Sequence, residues 1–135
     1  MLLGAVAVIG GTLLLASLGH EAPVDPGQEG SRPVAMRELH FADRVDGAVV
    51  VRDARSGAEV LVVQPGQEGF VRGAMRGLAR ERKREAIGAA APFRLSAWPN
   101  GRVTLEDTAT GHIIELQAFG RTNAESFVRL LETRE

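Results

Sequence analysis

Cysteine is absent from the 135-residue chain, and so is tyrosine. Without cysteine there is no disulfide framework, no thiol nucleophile and no cysteine-ligated zinc site. The compartment stays open on this ground, because an oxidising space permits disulfides without requiring them. Aromatic residues make up only 4% of the chain, which argues against an RNA-reading sheet face or an aromatic ligand cage. Positive charge is missing from the start, the first basic residue being Arg32. A catalytic constellation is missing too. None of the five serines lies in a GxSxG turn. His20, His40 and His112 follow no metal-ligand spacing, and GQEGFVRG lacks the GK[ST] of a phosphate-binding loop. Asp43, Asp46, Asp53 and Asp107 invite a paired-carboxylate reading. The last three, however, stand in turn contexts (Asp46-Gly47, DARSG, DTATG) where an aspartate accepts backbone N–H bonds. The residues therefore point to no enzyme activity, no cofactor, no metal and no small-molecule substrate.

What is present begins with an apolar run. Met1 to Leu18 carries no charge. As a helix it would rise ~27 Å at 1.5 Å per residue, close to the ~30 Å of a bilayer's hydrocarbon. The expectation is a transmembrane anchor over 1–19, with a cleaved signal peptide as the competitor. The flank that follows is acidic (Glu21, Asp25, Glu29) before Arg32. The positive-inside rule then puts the N-terminus in the cytoplasm and the rest in the periplasm. Gly4, Ala7 and Gly11 fall on one face of such a helix and would let another helix approach closely. A Pro/Gly-rich acidic linker over 20–36 separates the anchor from a domain over 37–135.

That domain contains a degenerate repeat, 37–88 and 92–135. RVDGAVVVRDARSGAEVLVVQPG aligns at one constant offset with WPNGRVTLEDTATGHIIELQAFG, so that Gly47 meets Gly101, Asp53 meets Asp107, Gly57 meets Gly111 and Gly66 meets Gly120. Each copy reads as three antiparallel strands and a helix: Glu38–Ala42, Val49–Arg52, Glu59–Val63 and Phe70–Glu85, then Phe93–Ala97, Val103–Glu106, Ile113–Gln117 and Asn123–Glu132. Asp-Gly and Asn-Gly are hairpin signals. Val60 with Val62, and Ile114 with Leu116, alternate at period two. Val71, Met75 and Leu78 form one helical stripe, with Ala74 beside them, and Ala124, Phe127, Val128 and Leu131 the other. Thr122 and Glu125 fit a capping box. The fold class expected is α+β: one transmembrane helix plus a periplasmic domain of two βββα repeats.

Two features of the first helix stand out. Gly69, Gly73 and Gly77 recur every four residues, although glycine in a helix interior costs ~1 kcal/mol against alanine. Either the strip packs on the domain's own sheet or it receives a partner. Between Arg72 and Glu85 there are also six basic residues and two acidic ones. Arg72, Arg76, Arg80 and Arg84 share a drifting face. That face is either solvated or a docking surface for an acidic protein or anionic lipid. Nucleic acid is not expected on so small a patch.

The runs PGQEGFVRGAMRGLARERKREAIG (Pro65 to Gly88), PFRLSAWPNGRVTLEDTATG (Pro92 to Gly111) and FGRTNAESFVRLL (Phe119 to Leu131) resemble the photosynthetic complex assembly protein family (PuhC) of purple phototrophic bacteria. The resemblance implies a single N-terminal transmembrane helix and a periplasmic domain in the bacterial inner (intracytoplasmic) membrane. It also implies no catalysis. The implied role is that of a non-catalytic, membrane-anchored assembly or accessory factor (or subunit) of the core complex, acting through its transmembrane helix and periplasmic domain, with reaction-centre and light-harvesting 1 subunits and membrane lipid as partners. A bitopic scaffold of another envelope complex is the alternative. The family motif falls on Gly69, Phe70, Val71, Arg72, Gly73, Arg76, Gly77 and Leu78. The expected docking residues are therefore Gly69, Phe70, Arg72, Gly73, Arg76, Gly77, Arg80 and Arg84, together with Gly4, Ala7 and Gly11.

Overall fold

The structure, a computed structural model, describes residues 31–132. In chain order they form β1 (Ala35–Asp43), β2 (Val49–Asp53), β3 (Glu59–Val63), α1 (Gly69–Arg84), β4 (Phe93–Ala97), β5 (Val103–Asp107), β6 (Ile113–Glu115), a 3₁₀ helix (Leu116–Phe119) and α2 (Arg121–Glu132). The strands make one antiparallel sheet in the order β3-β2-β1-β4-β5-β6. Each half is a three-strand meander, and β1 and β4 join the halves with Leu39 opposite Phe93. These two residues occupy the same place in the sequence repeat, so the junction lies on an approximate two-fold axis.

Matching turns follow from matching chemistry. Gly47 and Gly101 have φ of 88° and 86°, a region that glycine enters without a Cβ clash. Asp46 Oδ1 accepts the Ala48 N–H and Asn100 Oδ1 accepts the Arg102 N–H, both at 3.0 Å. One strand later, Asp53 Oδ1 accepts from Arg55 N–H at 2.8 Å and Asp107 Oδ1 from Ala109 N–H at 2.9 Å. These are the Asx-type contacts that the turn sequences call for.

One face of the sheet carries the core. Leu39, Val51, Leu95 and Leu105 are fully buried there beneath Val71, Met75 and Leu78 of α1 and Ala124, Phe127 and Leu130 of α2. Burying each large side chain contributes roughly 1.5–3 kcal/mol. On the opposite face Arg94 bridges Glu38 at 2.9 Å and Glu106 at 3.0 Å, its neighbours across both strand pairs. Beside this ladder, buried Trp98 donates from Nε1 to Thr104 Oγ1 at 2.8 Å.

Polar bonds also lock the helices down. The Arg82 guanidinium meets buried Asp107 through Nε (2.9 Å to Oδ2) and Nη2 (2.7 Å to Oδ1), and its carbon lies 4.1 Å from the centroid of the Phe93 ring. The two side chains are 6% and 0% exposed, so the charges compensate each other out of water. Asp53, the repeat counterpart of Asp107, is held differently. Arg37 donates from Nε to Asp53 Oδ2 at 2.9 Å and from Nη1 to the Leu130 carbonyl at 2.9 Å.

Several expectations need correction. No helix among the described residues is long and apolar enough to cross a membrane. The helices α1 and α2 are amphipathic, with one buried stripe and charged outer faces. The transmembrane helix in the expected fold class is corrected on this finding, and so are the role acting through that helix and the single-pass inner-membrane placement and periplasmic topology that rested on it. The run 1–19, with Gly4, Ala7 and Gly11, lies outside the described residues. Strand β6 stops at Glu115, where Gln117 replaces the ladder by accepting the Val103 N–H on its Oε1 at 2.7 Å. In β3 the register slips between Val51 and Arg52, opposite Leu61 and Glu59, so that Val60 is an extra residue. That bulge sends both Val60 and Val63 into the core and breaks the expected alternation. Helix α2 begins at Arg121, which places Thr122 inside the first turn and not at the cap.

Asp107→Asn keeps an acceptor for the turn but leaves the Arg82 charge without an anion. It is expected to lower the unfolding free energy in urea by about 3–5 kcal/mol. Arg82→Met combined with Asp107→Asn removes the orphaned charge and should recover part of that loss.

Candidate functional site

The residues flagged along α1 separate into three groups. The first is structural. Arg72 reaches back from the first turn of α1 and donates to the carbonyls of Gln67 (2.9 Å), Gly47 (3.0 Å), Val63 (3.0 Å) and Gln64. One guanidinium thus ties the helix start to the β1–β2 turn and to the end of β3. Phe70 is half-buried, its ring 5.3 Å from Phe119 and 5.7 Å from Phe127 between centroids. Arg82, counted in the basic run, is the buried partner of Asp107. Arg84 pairs with Glu81 one turn away.

The second group is the glycine strip. A Cβ built on Gly69, Gly73 or Gly77 would meet no atom within 4 Å. Packing on the domain's own sheet therefore does not explain these glycines. The inward side of α1 is taken by Val71, Met75, Leu78 and Arg82. At 3.6 residues per turn, Gly73 and Arg80 sit on the opposite side. Gly73, Ala74, Gly77 and Leu78 form one wall of a shallow groove of about 240 Å³, with Glu81 along it and His112 and Ile114 as the far wall on the edge-strand side.

Arg76 and Arg80 make up the third group. Both are exposed, and neither has a hydrogen bond or ion pair among the described residues. Of the arginines spaced every four residues, the structure leaves these two available and places them beside Gly73. The division was hidden in the sequence, because a clamp, an intrahelical pair and an available cation share one residue type. The buried role of Arg82 did have a signal. It stands four residues after Leu78, in line with the apolar stripe.

The aspartates do not form acid–base machinery. The Ser56 N–H, followed by Arg37, holds the Asp53 carboxyl below its ordinary value. Burial alone would raise the Asp107 carboxyl, but the Arg82 guanidinium and the Ala109 N–H outweigh it and the net shift is downward. Asp46 falls to about 2 through its contacts with Arg44 and the Ala48 N–H. Groups held this low are poor proton shuttles near neutral pH. Among the described residues no cluster of three or more His, Cys, Asp or Glu side chains is arranged to hold a metal ion.

Residues 34–134 match the family model described as "Photosynthetic complex reorganisation protein PuhC". The chain is also similar to the "Uncharacterized 17.4 kDa protein in puhA 5'region" of Rhodobacter capsulatus, at 36% identity over 66 residues. That match covers 49% of this chain and 41% of the relative, so the chain spans less than half of that protein's length. No solved structure matches.

Stability should respond to acid through the two paired aspartates. Their folded values lie below the unfolded value of 3.8. The stabilisation is therefore complete above the unfolded value and is lost as pH falls through the folded ones. The thermal midpoint is expected to hold between about pH 7 and 5 and to drop below about pH 4, with Asp53→Asn flattening the drop. Gly73→Ala and Gly77→Ala place a methyl in open space on a helix. Each is expected to raise stability by about 0.5–1 kcal/mol in denaturant titration.

Proposed function

The chain belongs to the PuhC family of photosynthetic complex reorganisation proteins, and on that premise we propose that its folded domain is a docking module for the reaction centre–light-harvesting 1 core complex during assembly. Members of the family are non-catalytic accessory factors that work with components of photosynthetic complexes. For this chain the proposed working surface is the outer face of α1: Gly69, Gly73 and Gly77 as a bare strip, with Arg76 and Arg80 beside it.

One observation carries the proposal. The strip gives up helix propensity at successive turns and receives no intramolecular packing in return. Local costs that the fold itself does not recover tend to mark functional positions. A strip without side chains lets a partner's backbone or small side chains approach closely. Flanking guanidiniums add orientation and can pair with carboxylates in a bidentate manner. Phe70, Arg72 and Arg84 support this surface and do not contact the partner, because their own contacts are already made. The domain boundaries that accompany the proposal are a module over 37–135 built from the repeats 37–88 and 92–135.

The test is co-sedimentation of the tagged full chain with core-complex particles from a phototrophic host. Wild type should travel with nascent particles that contain reaction-centre and light-harvesting 1 subunits. Gly73→Leu/Gly77→Leu and, separately, Arg76→Glu/Arg80→Glu should each reduce that fraction about tenfold or more. The arginine changes shift stability by only about 0.5 kcal/mol, and leucine in place of a helical glycine favours the helix, so circular dichroism should remain native. Undiminished co-sedimentation of both variants would place the docking surface elsewhere.

A further inference from the structure

The flank of α1 away from the glycine groove holds a second feature. A groove of about 400 Å³ runs between α1 and the end of β1, lined by His40, Phe41, Ala42, Ala79, Arg82, Lys83, Ile87, Gly88, Ala89 and Phe93. It continues into a smaller cavity of about 90 Å³ that shares Phe41, Ala42, Ala79 and Phe93, reaches Met75 and Val71, and is lined also by Asp43, Arg72 and Arg76. On the helix side the lining steps through Val71, Met75, Ala79 and Lys83, one residue per turn. That makes an apolar trough ~18 Å long at 1.5 Å per residue. Its size lies within the ~300–1,000 Å³ of small-molecule sites, and its lining has their character of apolar walls with few polar groups.

The charges in the larger groove share one sign. No acidic residue lines it. The Arg82 charge is neutralised by Asp107, which leaves Lys83, exposed and unpaired among the described residues, as the available cation at the rim. A strained backbone closes the end of the trough. Ala86 has a φ of 57°, which lets the Ile87 N–H donate to the Arg82 carbonyl at 2.8 Å and the Ala86 N–H to the Lys83 carbonyl at 3.1 Å. Helices commonly make this turn with glycine. Left-handed backbone at a residue carrying a Cβ is costly and concentrates where a ligand or switch uses it. Here it places Ile87 and the small-residue loop behind it at the end of the trough.

We propose that this groove binds a single acyl chain ending in a carboxylate. The hydrocarbon lies along Ala79, Phe41 and Phe93, and the carboxylate meets the Lys83 ammonium. An elongated, mostly apolar trough suits an extended chain better than a compact ring, and at the Lys83 end, where no acid lines the larger groove, the cation selects an anionic end over a neutral or cationic one. No bond is made or broken.

Lys83 is the only lysine in the chain, so an amine-reactive acetylating reagent followed by mass spectrometry reports on this rim directly. With the full chain, dodecanoate is expected to slow Lys83 acetylation saturably, by about fivefold or more, as a carboxylate–ammonium contact would. Acetate, dodecyl maltoside and dodecyltrimethylammonium should not protect. Ala79→Trp, which fills the trough, should abolish protection. Ala89→Glu, which sets an acid at the rim without adding bulk to the helix, should do the same if the tryptophan variant fails to fold. Equal protection by acetate, by maltoside or by an acidic apolar peptide, or protection surviving in both folded variants, overturns the proposal. Loss of co-sedimentation in Gly73→Leu/Gly77→Leu leaves it untouched, because neither glycine lines this groove.

Discussion

A single buried ion pair sets the rotation of α1. With Arg82 fastened to Asp107 of β5 and stacked on Phe93 of β4, the helix has one way to face the sheet. Val71, Met75 and Leu78 then point inward, and the glycine strip with Arg76 and Arg80 points out. Such a pair adds little net stability compared with a well-packed apolar substitute, because both charges lose their water. Its contribution is geometric. An apolar residue at position 82 would tolerate sliding along the sheet, whereas a bidentate guanidinium–carboxylate contact does not. At the other end of α1, Arg72 performs the complementary task with four backbone carbonyls. Two arginines thus hold the helix at both ends, and its remaining basic residues are free to vary in role.

The repeat explains why this arrangement is lopsided. The two halves share turns, register and an axis through Leu39 and Phe93, yet they anchor their helices differently. In the second half Asp107 receives an arginine from α1, the longer helix. In the first half Asp53 receives Arg37, from a strand. The same turn aspartate thus serves two unlike partners. The longer α1 is also the helix flanked by grooves on both sides.

Much of this was legible from residue pattern. The bounds of β3 and β4 coincide with the alternation and turn signals that marked them, and the inward stripe of α1 follows from 3.6-residue spacing. Turn aspartates were recognisable because a short carboxylate before a glycine has few other local uses. What pattern did not show were events requiring a third dimension. The bulge at Val60 depends on its pairing partner. The early end of β6 depends on a glutamine that reaches across to Val103. The capping box failed because the helix starts two residues sooner, at Arg121, with the Gly120 carbonyl accepting the Ala124 N–H at 3.0 Å. Among the arginines, sequence spacing grouped residues that the fold separates, since position 82 joins the apolar stripe while 72 lies at the helix start. The apolar run before residue 20 read as a span by length and hydropathy alone, and no helix among the described residues has that character.

The contact from Arg37 to the Leu130 carbonyl joins positions 93 residues apart, near the two ends of the folded domain. A growing polypeptide leaves the ribosome from its N-terminus. Both meanders can therefore form their local hairpins while translation continues, but the Arg37–Asp53 pair lacks its third member until the last helix has emerged. Chains ending before Leu130 would lose the carbonyl that Arg37 Nη1 meets, so the seam between β1 and β2 gains this tie to α2 only late in synthesis.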